Sequence, residues 1–274
     1  MQNTLIVFKY GGNAMVDKDL KKTTLHNICE LKKQGHNVMI VHGGGPYIKE
    51  ALENANIESE FVAGHRKTTP EAIRHVEMAL KGRVNGELVS IINSAGQNAV
   101  GLSGKDGNTV IAEQKFHQTK VNGETRSIDL GRVGNVKEVD TKLPKLLLKE
   151  DYIPVITCVA NDENGKDFNI NADIFAGTLA GKMKADKFVV LTDVDGLMSD
   201  INDPTSILRK ITEQEIPLLI DKEIIKGGML PKTDACVEAL KNGVDSSMII
   251  NGTKPEQIVQ LMNSKDEIGT KIVK

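Results

Sequence analysis

The chain has 274 residues and sets 35 Lys and Arg against 37 Asp and Glu, a formal net charge of −2, which leaves no electrostatic footprint for nucleic acid or an acidic membrane and favours small-molecule chemistry. Its length suits one large α/β domain or two intimate lobes, and Cys29, Cys158 and Cys236, widely spaced and without a CxxC pair, read as reduced core residues. No apolar run approaches the roughly 18 residues of a membrane span, and MQNTLIVFK lacks the basic start and long apolar segment of a signal peptide, so a cytoplasmic location is expected.

Leu5 to Phe8 is a β-prone run that KYGGN turns, and Asp19 to Gln34 has helical spacing through Leu20, Leu25, Ile28 and Leu31 before Gly35 stops it. Asn37 to His42 is a second strand entering HGGGP, after which Tyr47 to Asn54 reads as a helix. This βαβα order predicts an α/β fold with a mainly parallel sheet covered by helices and ligands near the carboxyl ends of its strands. Pro70 to Gly82 and Val84 to Ala95 read as two helices, the first with Thr69 as N-cap and Pro70 at its first position. Val110 to Val139 breaks into short β-rich pieces, predicting antiparallel hairpins beside the main sheet with Asn122-Gly123 as the clearest turn.

Parallel grammar resumes with a helix around Lys142 to Glu150, the strand IPVITCVA, a helix from Ala172 to Lys184 and the strand KFVVLTDV, where a second lobe is expected to begin. PKTDACVEALKNG is a helix opening at a lysine, SSMIINGT a strand ending in a turn, and a further helix starts at Pro255. No repeat, low-complexity tract or flexible linker intervenes, so two lobes would share one sheet.

Several strand ends carry chemistry-bearing residues. In FKYGGN, Lys9 precedes Gly11 and Gly12, so an ammonium and backbone N–H groups converge either on an anion or on a plain turn. HGGGP is a second such turn at a helix N-terminus; the chain has no GxxxxGK[ST] and HGGGP is not GxGxxG. Arg66 offers a planar fork to a carboxylate, or is a surface arginine. His42 and His65 lack metal-ligand spacing and read as structural or supporting residues, and Lys105 and Asp106 in GLSGKDGN read as shaping the site. FNINAD places Asn169 and Asn171 at alternate positions before Asp173, which is either a helix cap or a charge organiser. LTDVDGL suits nucleotide contacts or a turn, and Lys232 at a helix start calls for an anionic partner.

Taken in order, KYGG, VHGGGP, GHR, GLSGKDG, NINAD, LTDVDG and GGMLPK resemble the amino acid kinase family across essentially the whole chain. Single pieces recur in its carbamate, aspartate and uridylate kinase branches; HGGGP with Arg66 and NINAD favours the acetylglutamate branch. The resemblance implies an open three-layer αβα sandwich around a mainly parallel sheet. It implies an acceptor-binding, dimerising N-terminal lobe over residues 1–186 and an ATP-binding C-terminal lobe over 187–274. It also implies phosphoryl transfer from ATP, carrying Mg²⁺, to the side-chain carboxylate of N-acetyl-L-glutamate, an early step of arginine synthesis, by a cytoplasmic homodimer that holds no metal site of its own.

Position by position, the resemblance implies that Lys9 and Lys232 neutralise the transferring phosphoryl group while Asp173 holds both ammonium groups in place. Gly11 and Gly12 would approach the phosphates, and Gly44 and Gly45 the acceptor. Arg66 would clamp the acceptor's α-carboxylate with help from Asn169, Asn171 would support the same strand end, and Thr192, Asp193, Val194 and Gly196 would meet the nucleotide. Arginine-inhibited members of the family resemble one another in an extra helix before the first strand. Here the strand begins by Leu5, so a dimer without arginine feedback is expected. Competing readings are a kinase of a neighbouring acceptor, such as N-acetyl-α-aminoadipate or carbamate, and a non-catalytic amino-acid or nucleotide sensor of the same fold.

Overall fold

The computed structural model describes residues 4–62, 64–121, 124–200, 202, 203, 205–262 and 268–274. The first βα unit runs β1 (Leu5–Tyr10), a short α1 (Asn13–Val16) and α2 (Lys18–Lys33), whose N-cap Asp17 accepts from the Leu20 amide at 2.8 Å. The second runs β2 (Asn37–His42) into α3 (Gly45–Asn54), which starts at the last HGGGP glycine, ahead of the expected Tyr47. A two-stranded hairpin, β3 (Phe61–Val62) and β4 (His65–Arg66), follows.

The two helices expected from Pro70 to Ala95 are one continuous run: α4 (Ala72–Glu77), a π-helical segment Met78–Val84 and α5 (Asn85–Ser94). The Ala72 amide bonds Thr69 Oγ1 at 3.0 Å and the Ile73 amide bonds the Thr69 carbonyl at 3.1 Å, so Thr69 caps the run with Pro70 at its first position, as expected, and regular α-helix follows from Ala72. Gly82 does not end the helix because the wider π turn absorbs it and turns Asn85 toward the sheet.

Next come β5 (Ala99–Ser103), the long antiparallel pair β6 (Val110–Val121) and β7 (Glu124–Val139), then α6 (Lys142–Lys149) and β8 (Ile153–Thr157). The Asn122-Gly123 turn lies outside the described residues. IPVITCVA is not one strand: it breaks at Cys158, so that β8 stays in the main sheet while β9 (Val159–Asn161) turns away. With β10 (Asp167–Ile170), β9 closes the expected hairpin into a four-stranded barrel ordered β10-β7-β6-β9.

The remainder is α7 (Ala172–Met183), β11 (Lys187–Thr192), β12 (Lys210–Thr212), α8 (Ile216–Asp221), α9 (Leu230–Lys241), β13 (Ser246–Asn251), α10 (Glu256–Gln260) and β14 (Thr270–Val273). The main sheet has eight strands in the order β12-β14-β13-β11-β1-β2-β8-β5, parallel except for β13 with β14. It runs unbroken across residue 186, with β1 pairing both β2 and β11.

Alternation along these strands builds two cores. Val7, Met39, Val41, Ile156, Val190 and Ile249 face one, closed by Phe175 and Leu179 of α7 and Cys236 and Leu240 of α9. Ile6, Phe8, Val38, Ile40, Val189 and Ile250 face the other, closed by Leu25, Ile28 and Leu31 of α2 and Leu88 and Ile92 of α5. These are the three αβα layers that the family resemblance implied. The chain leaves β1 toward β2 on one side, and β11 later fills the other, so a crevice opens at the carboxyl end of β1.

Candidate functional site

Lys9 stands near the carboxyl end of β1, only 7% exposed, and its Nζ lies 3.0 Å from Asp173 Oδ1. Lys232, in the first turn of α9, reaches Asp173 Oδ2 at 3.8 Å. Asp173 occupies the first turn of α7, where the helix dipole favours a carboxylate. Burial pushes the Lys232 ammonium below the ordinary lysine range and the Lys9 charge adds to this, while Asp173 and Asp193 oppose it. A buried carboxylate between two ammonium groups is a built electrostatic centre, because each charge would be costly there alone.

Asn171 resolves the cap question left by the sequence. Its side-chain oxygen accepts from the Asp173 and Ile174 amides at 2.9 and 3.2 Å, so Asn171 is the cap and Asp173 is free to organise the lysines. Asn169, on β10, and Asn171 both line a cleft of about 240 Å³ with Gly44, Gly45, Arg66, Phe61 and Ala172. The expected acceptor residues are thus gathered around one space. Gly44 is closely walled, since a Cβ there would sit 2.7 Å from Leu80 Cδ2 and that side chain would have to shift, whereas a Cβ at Gly45 would meet nothing within 4 Å. Arg66 lies over the Phe61 ring, 4.6 Å from its centroid, and donates to Ser59 Oγ; burial pushes its guanidinium below its usual range.

The glycines expected to approach the phosphates lie beside charges. A Cβ on Gly11 would be 3.0 Å from Lys9 Nζ, and Gly12, at φ +74°, would place one 2.9 Å from Asp193 Oδ1. Thr192 ends β11, buried, its carbonyl accepting from the Gly252 amide at 2.7 Å. Val194 and Gly196 line a separate cleft of about 560 Å³ with Leu197, Met198, Ile224 and Met229, its mixed apolar wall suited to a planar ring. Asp193 thus stands close beside the β1 turn.

Other site-supporting residues were not singled out from the sequence. Asp195 accepts from Asn251 and Lys254, each at 2.8 Å, and these partners, Lys254 foremost, hold its carboxyl below the usual range. Tyr47 donates to the Met15 carbonyl at 3.0 Å and accepts from buried Lys21 at 3.0 Å, tying the turn after β1 to the turn after β2. The only sequence signal for these was polar residues beside the glycine turns. Lys105 pairs with Glu77 and Asp167, and Asp106 bonds the Ser103 amide, in keeping with a shaping role. His65 gives its backbone to β4, and its side chain lies outside the described set.

His42 is fully buried and structural. Nδ1 donates to the Gly43 carbonyl at 2.9 Å, and Nε2 accepts from Asn85, which also donates to the Val155 carbonyl at 2.9 Å. Burial lowers the imidazole from 6.5 to about 4, with the Gly43 bond opposing and Lys81 assisting. Because the folded pKa lies below the unfolded one, the unfolded chain takes up the extra proton between those values. Stability from neutral His42 is therefore complete above about 6.5 and falls, by at most about 3 kcal/mol, as pH drops toward 4. An NMR titration is expected to show His42 still neutral at about pH 5; a midpoint near 6.5 would refute the buried pair with Asn85.

The amino acid kinase family model matches residues 4–251. An acetylglutamate kinase of Methanococcus aeolicus is 44% identical over 273 residues, covering 100% of this chain and 93% of the relative. One of Methanocaldococcus jannaschii is 44% identical over 271 residues, covering 98% and 90%. In fold, the chain is similar to an N-acetylglutamate synthase structure from Neisseria gonorrhoeae at TM-score 0.80 and 20% identity, covering 99% of this chain but only 59% of that one. With the family's pattern matched across both the β1 and the β11 sides of the crevice, the chain belongs to the amino acid kinase family.

Proposed function

We propose that this chain transfers the γ-phosphoryl group of ATP to the side-chain carboxylate of N-acetyl-L-glutamate, giving N-acetyl-L-glutamyl 5-phosphate for arginine synthesis. The observation that carries the reading is the Lys9–Asp173–Lys232 set beside a cleft lined by Arg66 and Asn169. Relatives 42–45% identical and named acetylglutamate kinases support it.

The acceptor carboxylate, with an ordinary pKa of about 4.3, is ionised at neutral pH and needs no general base. One of its oxygens attacks the γ-phosphorus, the bond to the bridging oxygen breaks, and ADP leaves with that electron pair. The obstacle is bringing two anions together, which calls for positioning and positive charge. Lys9 and Lys232 meet the charge on the transferring group, and Asp173 keeps the ammonium groups from repelling each other. Gly11 and Gly12 admit the phosphates to the β1 turn.

Gly44 and Gly45 make room for the acceptor, Arg66 clamps its α-carboxylate, and Asn169 orients it. Thr192, Asp193, Val194 and Gly196 meet the nucleotide. Mg²⁺ would be held by phosphate oxygens and water, since both Asp173 oxygens face ammonium groups, and it would offset charge on the β- and γ-phosphates.

The acceptor-lining residues all fall between 43 and 172 and those of the larger cleft between 194 and 229, which supports lobes divided near 186. A homodimer, formed through the N-terminal lobe, is the proposed assembly, to be checked by sedimentation. Hydroxylamine trapping of the acyl phosphate across N-acetylglutamate, N-acetyl-α-aminoadipate and carbamate tests the reaction. N-acetylglutamate is expected to react best; ATP turnover with none of them would overturn the reading. Arg66→Lys is expected to raise the acceptor KM about tenfold with a smaller change in kcat, because the bidentate fork is lost. Unchanged acceptor kinetics would remove the clamp.

A further inference from the structure

His42 and Asn85 line neither cleft described above, but His42 directly precedes Gly43, Gly44 and Gly45, all of which line the acceptor cleft. The π-helical segment Met78–Val84 serves both places: Leu80, within it, lines the cleft beside Gly44, and Asn85, which follows it, is turned into the sheet and only 2% exposed. The Asn85 amide carries two N–H groups, and both are used at 2.9 Å, one on the Val155 carbonyl and one on His42 Nε2, with the Leu102 carbonyl a longer neighbour at 3.4 Å. A ring nitrogen that accepts carries no proton. Burial keeps the imidazole neutral, pushing it down to about 4, so its one proton sits on Nδ1 and is donated to the Gly43 carbonyl at 2.9 Å.

That bond orients the Gly43–Gly44 peptide. The peptide is trans, so the Gly44 N–H points opposite to the Gly43 carbonyl and away from the imidazole. The Gly44 amide donates to no group among the described residues, and neither does that of Gly45 at the start of α3. Flanked by two glycines, the peptide has little resistance of its own to turning over. Turned over, it would set the carbonyl oxygen against an anionic acceptor in a partly dehydrated cleft, and the two would repel. An imidazole protonated on Nε2 instead would present a bare Nδ1 to the same carbonyl and release it.

We propose that Asn85 and His42 are positioning residues for the acceptor: Asn85 selects the Nδ1–H tautomer of His42, and that N–H holds the Gly43 carbonyl back so that the Gly44 amide is left to meet the anionic acceptor. The inference rests on the acceptor reading of this cleft given above.

Nitrogen NMR shifts of the unliganded wild type at neutral pH are expected to show His42 protonated on Nδ1 and bare on Nε2, a preference that Asn85→Leu should abolish. Two further variants divide the relay. His42→Asn keeps an N–H near the Nδ1 position and gives up Asn85, whereas His42→Gln reaches Asn85 with an acceptor oxygen and gives up the Gly43 carbonyl. Each breaks one buried bond, so both should lower the thermal midpoint by similar amounts. The acceptor KM is expected to rise about tenfold in His42→Gln but less than about threefold in His42→Asn, with the ATP KM within about twofold of wild type in both. Equal acceptor KM values in the two variants, as a merely structural His42 would give, would overturn the relay. So would a wild-type Nε2–H tautomer, which decides the matter even where a variant fails to fold. Wild type that binds N-acetylglutamate without turning it over would overturn the proposed reaction alone, and the acceptor Kd of each variant then tests the relay in place of KM. Neither binding nor turnover would overturn both.

Discussion

Lys232→Ala is expected to lower kcat by about a thousandfold while the acceptor KM changes by less than about threefold, because in the proposed reaction its ammonium meets charge that is greatest in the transition state. The substitution leaves Asp173 paired to Lys9 alone, at 3.0 Å, and so leaves a buried carboxylate neutralised on one side only. In the proposed reaction, one cation is thereby lost from the place where the γ-phosphoryl oxygens would arrive. Binding of the acceptor is affected far less, since Arg66, Gly44 and Asn169 line a cleft that does not include Lys232. Steady-state kinetics with both substrates varied separates the two effects. An unchanged kcat would take Lys232 out of the catalytic set.

The second large effect is expected far from solvent, in the contact between α7 and α9. A Cβ added to Gly177 would lie 2.3 Å from the Ala235 carbonyl oxygen, and one added to Gly181 would lie 2.3 Å from Asn242 Cβ. Four residues apart, these glycines share a face of α7 and let the two helices pack closer than side chains would permit. Gly177→Val is accordingly expected to cost about 3 kcal/mol or more, because the obstructing atom is backbone and cannot rotate aside. Since α7 carries Asp173 and α9 carries Lys232, forcing the helices apart should also widen their 3.8 Å separation and lower kcat in the fraction that folds. Urea denaturation checks the first effect. A midpoint equal to wild type would refute the close packing.

The parts of this fold legible in the sequence are those that local pattern encodes. β1, β2 and β11 are short apolar runs ending at glycine or polar turns, and α7 opens on Asn171 as cap and Asp173 in its first turn, with an almost wholly apolar body beyond. Their order alone implied the parallel sheet, and the ends of β1 and β2 pointed to the candidate site. What was not legible depends on distant partners. β12 and β14 are three and four residues long and acquire strand character by pairing with each other, residues 210–212 beside 271–273.

The barrel closes because β10 pairs with β7 and β9, and nothing local to DFNI specifies those neighbours. The π segment was hidden because Gly82 resembles a stop, whereas its consequence, Asn85 bonding His42 and Val155, appears only when strands β2 and β8 lie side by side. At the site, residue types pointed to an anion centre but could not divide labour between Asn171 and Asp173. Two amide bonds to Asn171 and two lysines on Asp173 make that division.

The position of β1 in the middle of the sheet also bears on how the protein is made. Leu5 donates its amide to Asp186, 181 residues later, and Ile6 pairs with Lys187. A ribosome releasing this chain from its N-terminus can complete the β2 side of β1 early, yet the strand that carries Lys9 keeps its other edge unpaired until β11 has emerged. That edge is a template for the wrong partner throughout most of synthesis. Separations of this size also slow the search for the native pairing. The central strand, made long before β11, is thus among the last to be finished.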